Sequence, residues 1–66
     1  MKSLIFRGKS LDELKDELDS FIERNGSPKN ILMPPESFKW YFEQFGLDPD
    51  TYIGNLTYKG YFVEMV

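Results

Sequence analysis

The sequence predicts a small α+β domain in the order β-α-β-α-β-β, with two helices on one face of a three- to four-stranded sheet. Three observations lead there. Residues 11–22 and 38–45 repeat their apolar side chains at helical spacing, short apolar runs lie on either side of them, and glycine or proline marks the junctions. At 66 residues, 41% hydrophobic and 29% charged, the chain reads as one compact domain over 1–66 rather than a disordered segment.

Leu4-Ile5-Phe6 is a short strand stopped by Gly8. Ser10-Leu11-Asp12-Glu13 matches a capping box, in which the Ser10 hydroxyl accepts the Glu13 N–H and the Glu13 side chain reaches back. Leu11, Leu14, Leu18, Phe21 and Ile22 then make one stripe on a helix of about 14 residues, which Asn25-Gly26 ends. Asn30-Ile31-Leu32-Met33 is a buried strand. Pro34-Pro35 must end it, because proline donates nothing to a ladder, and Pro35 opens the second helix. There Phe38, Tyr41, Phe42 and Phe45 fall at i, i+3, i+4 and i+7, and Gly46 closes the helix. Asp48-Pro49-Asp50 is a loop. Tyr52, Ile53, Leu56, Thr57 and Tyr58, then Tyr61 to Val66, are β-rich. Lys59-Gly60 is either a two-residue hairpin turn, the preferred reading, or Gly60 is a bulge within one longer strand.

A right-handed crossover makes the first two strands parallel and lets both helices cover one face, while the final hairpin extends the sheet. The other face is left partly bare, and a bare face or an open edge is where a partner docks. Size sharpens the point. A domain of about 60 residues buries only roughly 60% of the surface its unfolded chain exposes, so its stability is marginal. With no cysteine for a disulfide, the remedies are a dense aromatic core and self-association. Nine of the 11 aromatic residues lie between Phe38 and Phe62, so the second half supplies most of the bulk.

Composition removes many chemistries. Without cysteine or histidine there is no thiolate nucleophile, no Cys-type zinc site, and no Ser-His or Cys-His arrangement. None of the serines or threonines stands in a nucleophile-elbow or Ser-x-x-Lys setting, and the scattered glycines form no phosphate loop. Asp48-Pro49-Asp50 could graze a calcium ion but lacks the other ligands of a recognised loop. The expectation is therefore no enzyme, no cofactor and no metal. No apolar run approaches the roughly 20 residues that cross a bilayer and no signal-peptide pattern opens the chain, so the expected location is the cytoplasm. The opening Met1 suggests a whole gene product.

Trp40 is the most prominent single residue. At 100° per residue it points about 160° away from Phe38, off the aromatic stripe, and tryptophan is frequent among binding hot spots. The alternative is that the ring folds over its own helix. Trp40, Tyr52, Tyr58 and Tyr61 are the candidate anchors of a protein interface. The first helix carries Asp12, Glu13, Asp16, Glu17, Asp19 and Glu23 against Lys15 and Arg24. Asp12, Asp16, Glu17, Asp19 and Glu23 form a candidate acidic docking face for a basic partner; the plainer reading is a solvated helix face. Lys59-Gly60-Tyr61-Phe62-Val63 partly matches an RNA-recognition signature. It lacks the small residue between the aromatics, so Tyr61 and Phe62 fall on opposite faces and cannot stack bases together.

Residues 30–66 resemble small uncharacterised proteins encoded by bacteriophages and prophages, through an apolar run into Met33-Pro34-Pro35, a short aromatic helix, and Tyr58-Lys59-Gly60 before an apolar strand. That resemblance implies a setting, the host cytoplasm, and an accessory or host-factor-binding role. Three functions compete. The leading one is a non-catalytic protein-binding module. The second is a structural homo-oligomer, such as a virion or assembly component, formed through the exposed sheet face or an edge. The third is a weak nucleic-acid binder relying on Arg7, Lys9, Lys29 and Lys59, which the net charge of −3 opposes.

Overall fold

The computed structural model describes residues 2–46 and 56–66. Its elements are β1 (Leu4–Ile5), α1 (Leu11–Asn25), β2 (Ile31–Met33), α2 (Pro35–Gln44), β3 (Leu56–Tyr58) and β4 (Tyr61–Met65). The four strands form one mixed sheet in the order β1-β2-β4-β3. β1 and β4 both run parallel to β2, and β3 runs antiparallel to β4. Tyr52 and Ile53, expected to begin the third strand, and the Asp48-Pro49-Asp50 loop lie outside the described residues.

Local chemistry sets the boundaries. Pro34 ends β2 and serves as the N-cap of α2, with Pro35 in the first turn, where its missing N–H costs nothing. The turn between β3 and β4 is the two-residue hairpin: Lys59 and Gly60 both have positive φ, 51° and 89°, the handedness that matches the twist of the flanking strands. Gly60 takes this conformation without a Cβ clash. The capping box at α1 needs correction. Ser10 is the N-cap, but its side chain makes no cap hydrogen bond; its carbonyl accepts the Leu14 N–H at 3.0 Å. The Glu13 carboxylate instead lies over Gly8, where a Cβ would collide with it and would stand 2.9 Å from the Phe6 ring.

The core lies on one side of the sheet. Leu4, Phe6, Ile31, Met33 and Val63 meet Leu14 and Leu18 of α1 and Tyr41 of α2, and all are buried. Both helices therefore cover the same face. Leu11 and Ile22, expected within the α1 stripe, are exposed: on a helical wheel they share its border, about 40° and about 60° from the Leu14–Leu18 direction. Phe45, at the C-cap of α2, is also exposed, though its ring packs edge-on against Tyr41 at 5.0 Å. The Tyr41 hydroxyl donates to the Thr57 carbonyl at 3.0 Å and so ties α2 to the sheet edge.

Candidate protein-interaction face

Alternation along each strand sends every second residue to the side the helices do not cover. Ile5 of β1 aligns with Leu32 of β2, which aligns with Glu64 of β4; Phe62 of β4 aligns with Thr57 of β3. Ile5 is 50% exposed and Phe62 51%, whereas their chain neighbours Leu4, Phe6 and Val63 are at most 6% exposed. Leu32 is half-buried, and Val66, beyond the end of β4, is 68% exposed. Among the described residues, no helix or strand lies over this side.

A line of polar side chains crosses the same surface. The Ser3 hydroxyl donates to Asn30 Oδ1, and Asn30 Nδ2 donates to Glu64 Oε2. These bonds link β1, β2 and β4 on the solvent side and engage one oxygen of the Glu64 carboxylate. The surface thus has an apolar flank at Ile5 and Leu32, a second at Phe62, and a satisfied polar seam between them. Among the described residues it presents shape and apolar area, and its Ser3 hydroxyl is engaged by Asn30.

The acidic residues of α1 face elsewhere. Asp12, Asp16, Asp19 and Glu23 are exposed and fall within about 60° of the direction opposite Leu14 and Leu18 on the helix wheel. They look away from the core, and so away from the uncovered sheet surface on its far side. Glu17 is exposed but stands to one flank, beside a shallow groove lined by Leu4, Asp16, Ser20, Phe21, Arg24 and Asn25. Partial burial, then repulsion from Glu13, raises its carboxyl above the usual range.

The three sequence-derived anchors among the described residues do not form one patch. Trp40 is half-buried, with ring centroids 6.0 Å from both Phe6 and Tyr41. The segment after β1 covers that side of α2, where Lys9 Nζ lies 3.7 Å from Glu36. The exposed part of Trp40 borders a groove of ≈ 300 Å³ with Lys9, Glu36, Lys39 and Glu43, whose charges balance. Tyr58 and Tyr61 are cross-strand partners on the helix side, half-buried against the core. Tyr58 stands edge-on to Tyr41 at 6.4 Å, and Tyr61 donates to the Ser27 hydroxyl at 3.1 Å. Tyr52 lies outside the described residues. Of the four basic candidates, Lys9 pairs with Glu36 and Lys59 sits 5.7 Å from the Tyr58 ring centroid. Arg7 follows β1 and Lys59 follows β3, the opposite edges of the sheet, so the set does not gather.

The residues that sequence reasoning passed over are Ile5, Leu32, Phe62 and Val66. Their signal was present: each stands one position from a core residue or strand end, and period-two alternation separates them.

Comparison with known proteins returned nothing: no family model, no curated protein and no solved structure matches the chain.

Proposed function

We propose that this chain is a non-catalytic protein-binding module that docks through the uncovered side of its sheet. The observation that carries this reading is the pair Ile5 and Phe62, half-exposed apolar side chains on strands whose adjacent residues build the core. Leaving such side chains in water forgoes roughly 1 kcal/mol or more each, which a partner surface recovers. The resemblance of residues 30–66 to small phage-encoded proteins supplies a setting for the proposal, an accessory or host-factor-binding role in the host cytoplasm. No helix among the described residues is long and apolar enough to cross a membrane.

The acidic row of α1 is assigned a lesser part. It faces away from the sheet surface, and at physiological salt charges are screened over about 8 Å, so it cannot steer a partner onto the opposite side. A basic partner would meet α1; an apolar one meets the sheet. The test is capture of proteins from a host lysate by the immobilised chain and by its Phe62→Glu variant. Proteins retained by the first and lost from the second support the proposal. Identical capture by both removes the sheet surface from the function.

A further inference from the structure

β1 is the first strand of the sheet, and its outer edge is open. Toward β2, the Leu4 N–H donates to Asn30 and the Phe6 N–H to Leu32, while the Lys2 carbonyl accepts from Lys29. Main-chain groups alternate in direction along a strand, so the N–H and C=O of Ser3 and Ile5 point the other way, off the sheet. Among the described residues no main-chain bond takes them up. The opposite edge differs: on β3 the Thr57 carbonyl is occupied by the Tyr41 hydroxyl. The complement of unpaired groups in alternation is an extended strand.

The shallow groove beside Glu17, of ≈ 310 Å³, follows that same edge. Among the described residues Leu4 alone of the strands lines it, and the rest of its wall is α1, so it opens past β1 rather than toward α2. A strand added to β1 sets every second side chain beside Leu4, under α1. There Leu4 and Phe21 form an apolar wall, and Asp16 and Glu17 bring carboxylates that have no ion pair among the described residues. Arg24 stands about two turns further along α1, at the other end of the groove. Partial burial and Glu13 already raise the Glu17 carboxyl, a cost that a nearby cation removes. A lysine or arginine meets all of this, its methylene stem on the apolar wall and its head at the acids. A second copy of this chain fits poorly. Edge-to-edge pairing brings together two α1 helices, each with six acidic and two basic side chains.

We infer that the β1 edge binds an extended segment of another protein by strand addition, with a lysine or arginine of that segment seated between Leu4 and α1 against Asp16 and Glu17. The inference rests on the reading of this chain as a protein-binding module, but not on the uncovered sheet side. Only the main chain of Ser3 and Ile5 and the α1 groove take part.

The test is titration of the isotope-labelled full chain, followed by nuclear magnetic resonance, with a capped peptide of about eight alternating valines and lysines, up to about 1 mM. The Ser3 and Ile5 amide signals are expected to shift and their hydrogen exchange to slow. A peptide alternating valine and glutamate is expected to bind at least about tenfold more weakly. Glu17→Gln, at an exposed position, is expected to weaken the lysine peptide about threefold. Methylating alternate peptide nitrogens separates strand pairing from plain charge attraction. One set of N–H groups faces β1 and the other faces solvent, so one methylated peptide loses binding and the other keeps it. Phe62→Glu leaves peptide binding unchanged. The inference is overturned when the lysine peptide does not bind, when the glutamate peptide binds equally, or when the two methylated peptides behave alike. Protection of Ser3 and Ile5 that grows with the concentration of the chain alone gives the edge to a second copy and overturns it too. The lysate experiment fails separately, when Phe62→Glu captures the same proteins as its parent.

Discussion

On one side of the sheet Leu4, Phe6, Ile31, Met33 and Val63 lie beneath two helices; on the other, Ile5 and Phe62, adjacent to them in the chain, stand half in water. Both surfaces come from the same few strands. The covered side holds the buried apolar cluster, together with the hydroxyl bond from Tyr41 to Thr57. The open side holds apolar flanks divided by the Ser3–Asn30–Glu64 seam. The difference teaches that in so small a domain one face stabilises the fold, leaving the other available for association.

Substitutions can break or sharpen that contrast. Phe6→Ala on the covered side is expected to cost about 3–5 kcal/mol, a large share of the roughly 3–10 kcal/mol that about 0.05–0.15 kcal/mol per residue gives a chain of this length. Chemical denaturation of Phe62→Ala, its counterpart on the open side, should show a loss of about 1 kcal/mol or less at low protein concentration. Equal losses would abolish the distinction between the two faces. Gly8→Ala comes next, at about 1–3 kcal/mol: Glu13 can swing aside, but the buried Phe6 ring at 2.9 Å cannot without disturbing the core.

Tyr41→Phe is expected to cost about 1 kcal/mol at neutral pH through loss of the bond to Thr57. It also carries a pH signature. Burial, then the nearby Tyr58, pushes the Tyr41 hydroxyl up to about 12 from its ordinary value of 10.0. The folded state thus holds this proton more tightly than the unfolded one. The resulting stability is complete below about pH 10 and falls as pH rises toward about 12. Denaturation midpoints measured across that window should drop more steeply in the parent than in Tyr41→Phe. The smallest effect has the opposite sign. Ser37 is buried, and its hydroxyl has no hydrogen-bond partner among the described residues. Ser37→Ala is therefore expected to be neutral or to raise the midpoint slightly, by up to about 1 kcal/mol.

The parts of this fold that local chemistry determines were legible in the residues. Pro34-Pro35 separates β2 from α2, Lys59-Gly60 makes the hairpin turn, and the Leu14–Leu18 spacing orients α1. The position of β4 between β2 and β3 was not legible, because it depends on which distant strands bury each other best. Trp40 shows the same limit. Its angle on the helix wheel is readable, but the Phe6 ring that half covers it arrives from another part of the chain. A partly bare sheet face was anticipated, while the candidate anchors were sought in Trp40 and the tyrosines. By alternation Tyr58 and Tyr61 share the helix side with Val63, while Ile5, between the buried Leu4 and Phe6, falls on the other side.

The sheet order also has a mechanical consequence. β1 and β4 both run parallel to β2, one on each side, so residues 2 and 66 lie toward opposite ends of the strands. Tension applied between those residues drags β1 and β4 along β2 in opposite directions. The ladder bonds, lying across the pull, are then loaded side by side rather than opened one at a time. The shorter ladder, Leu4 and Ile5 against Ile31 and Leu32, carries the same force on fewer bonds and yields first, so stretching this molecule begins with the slip of β1.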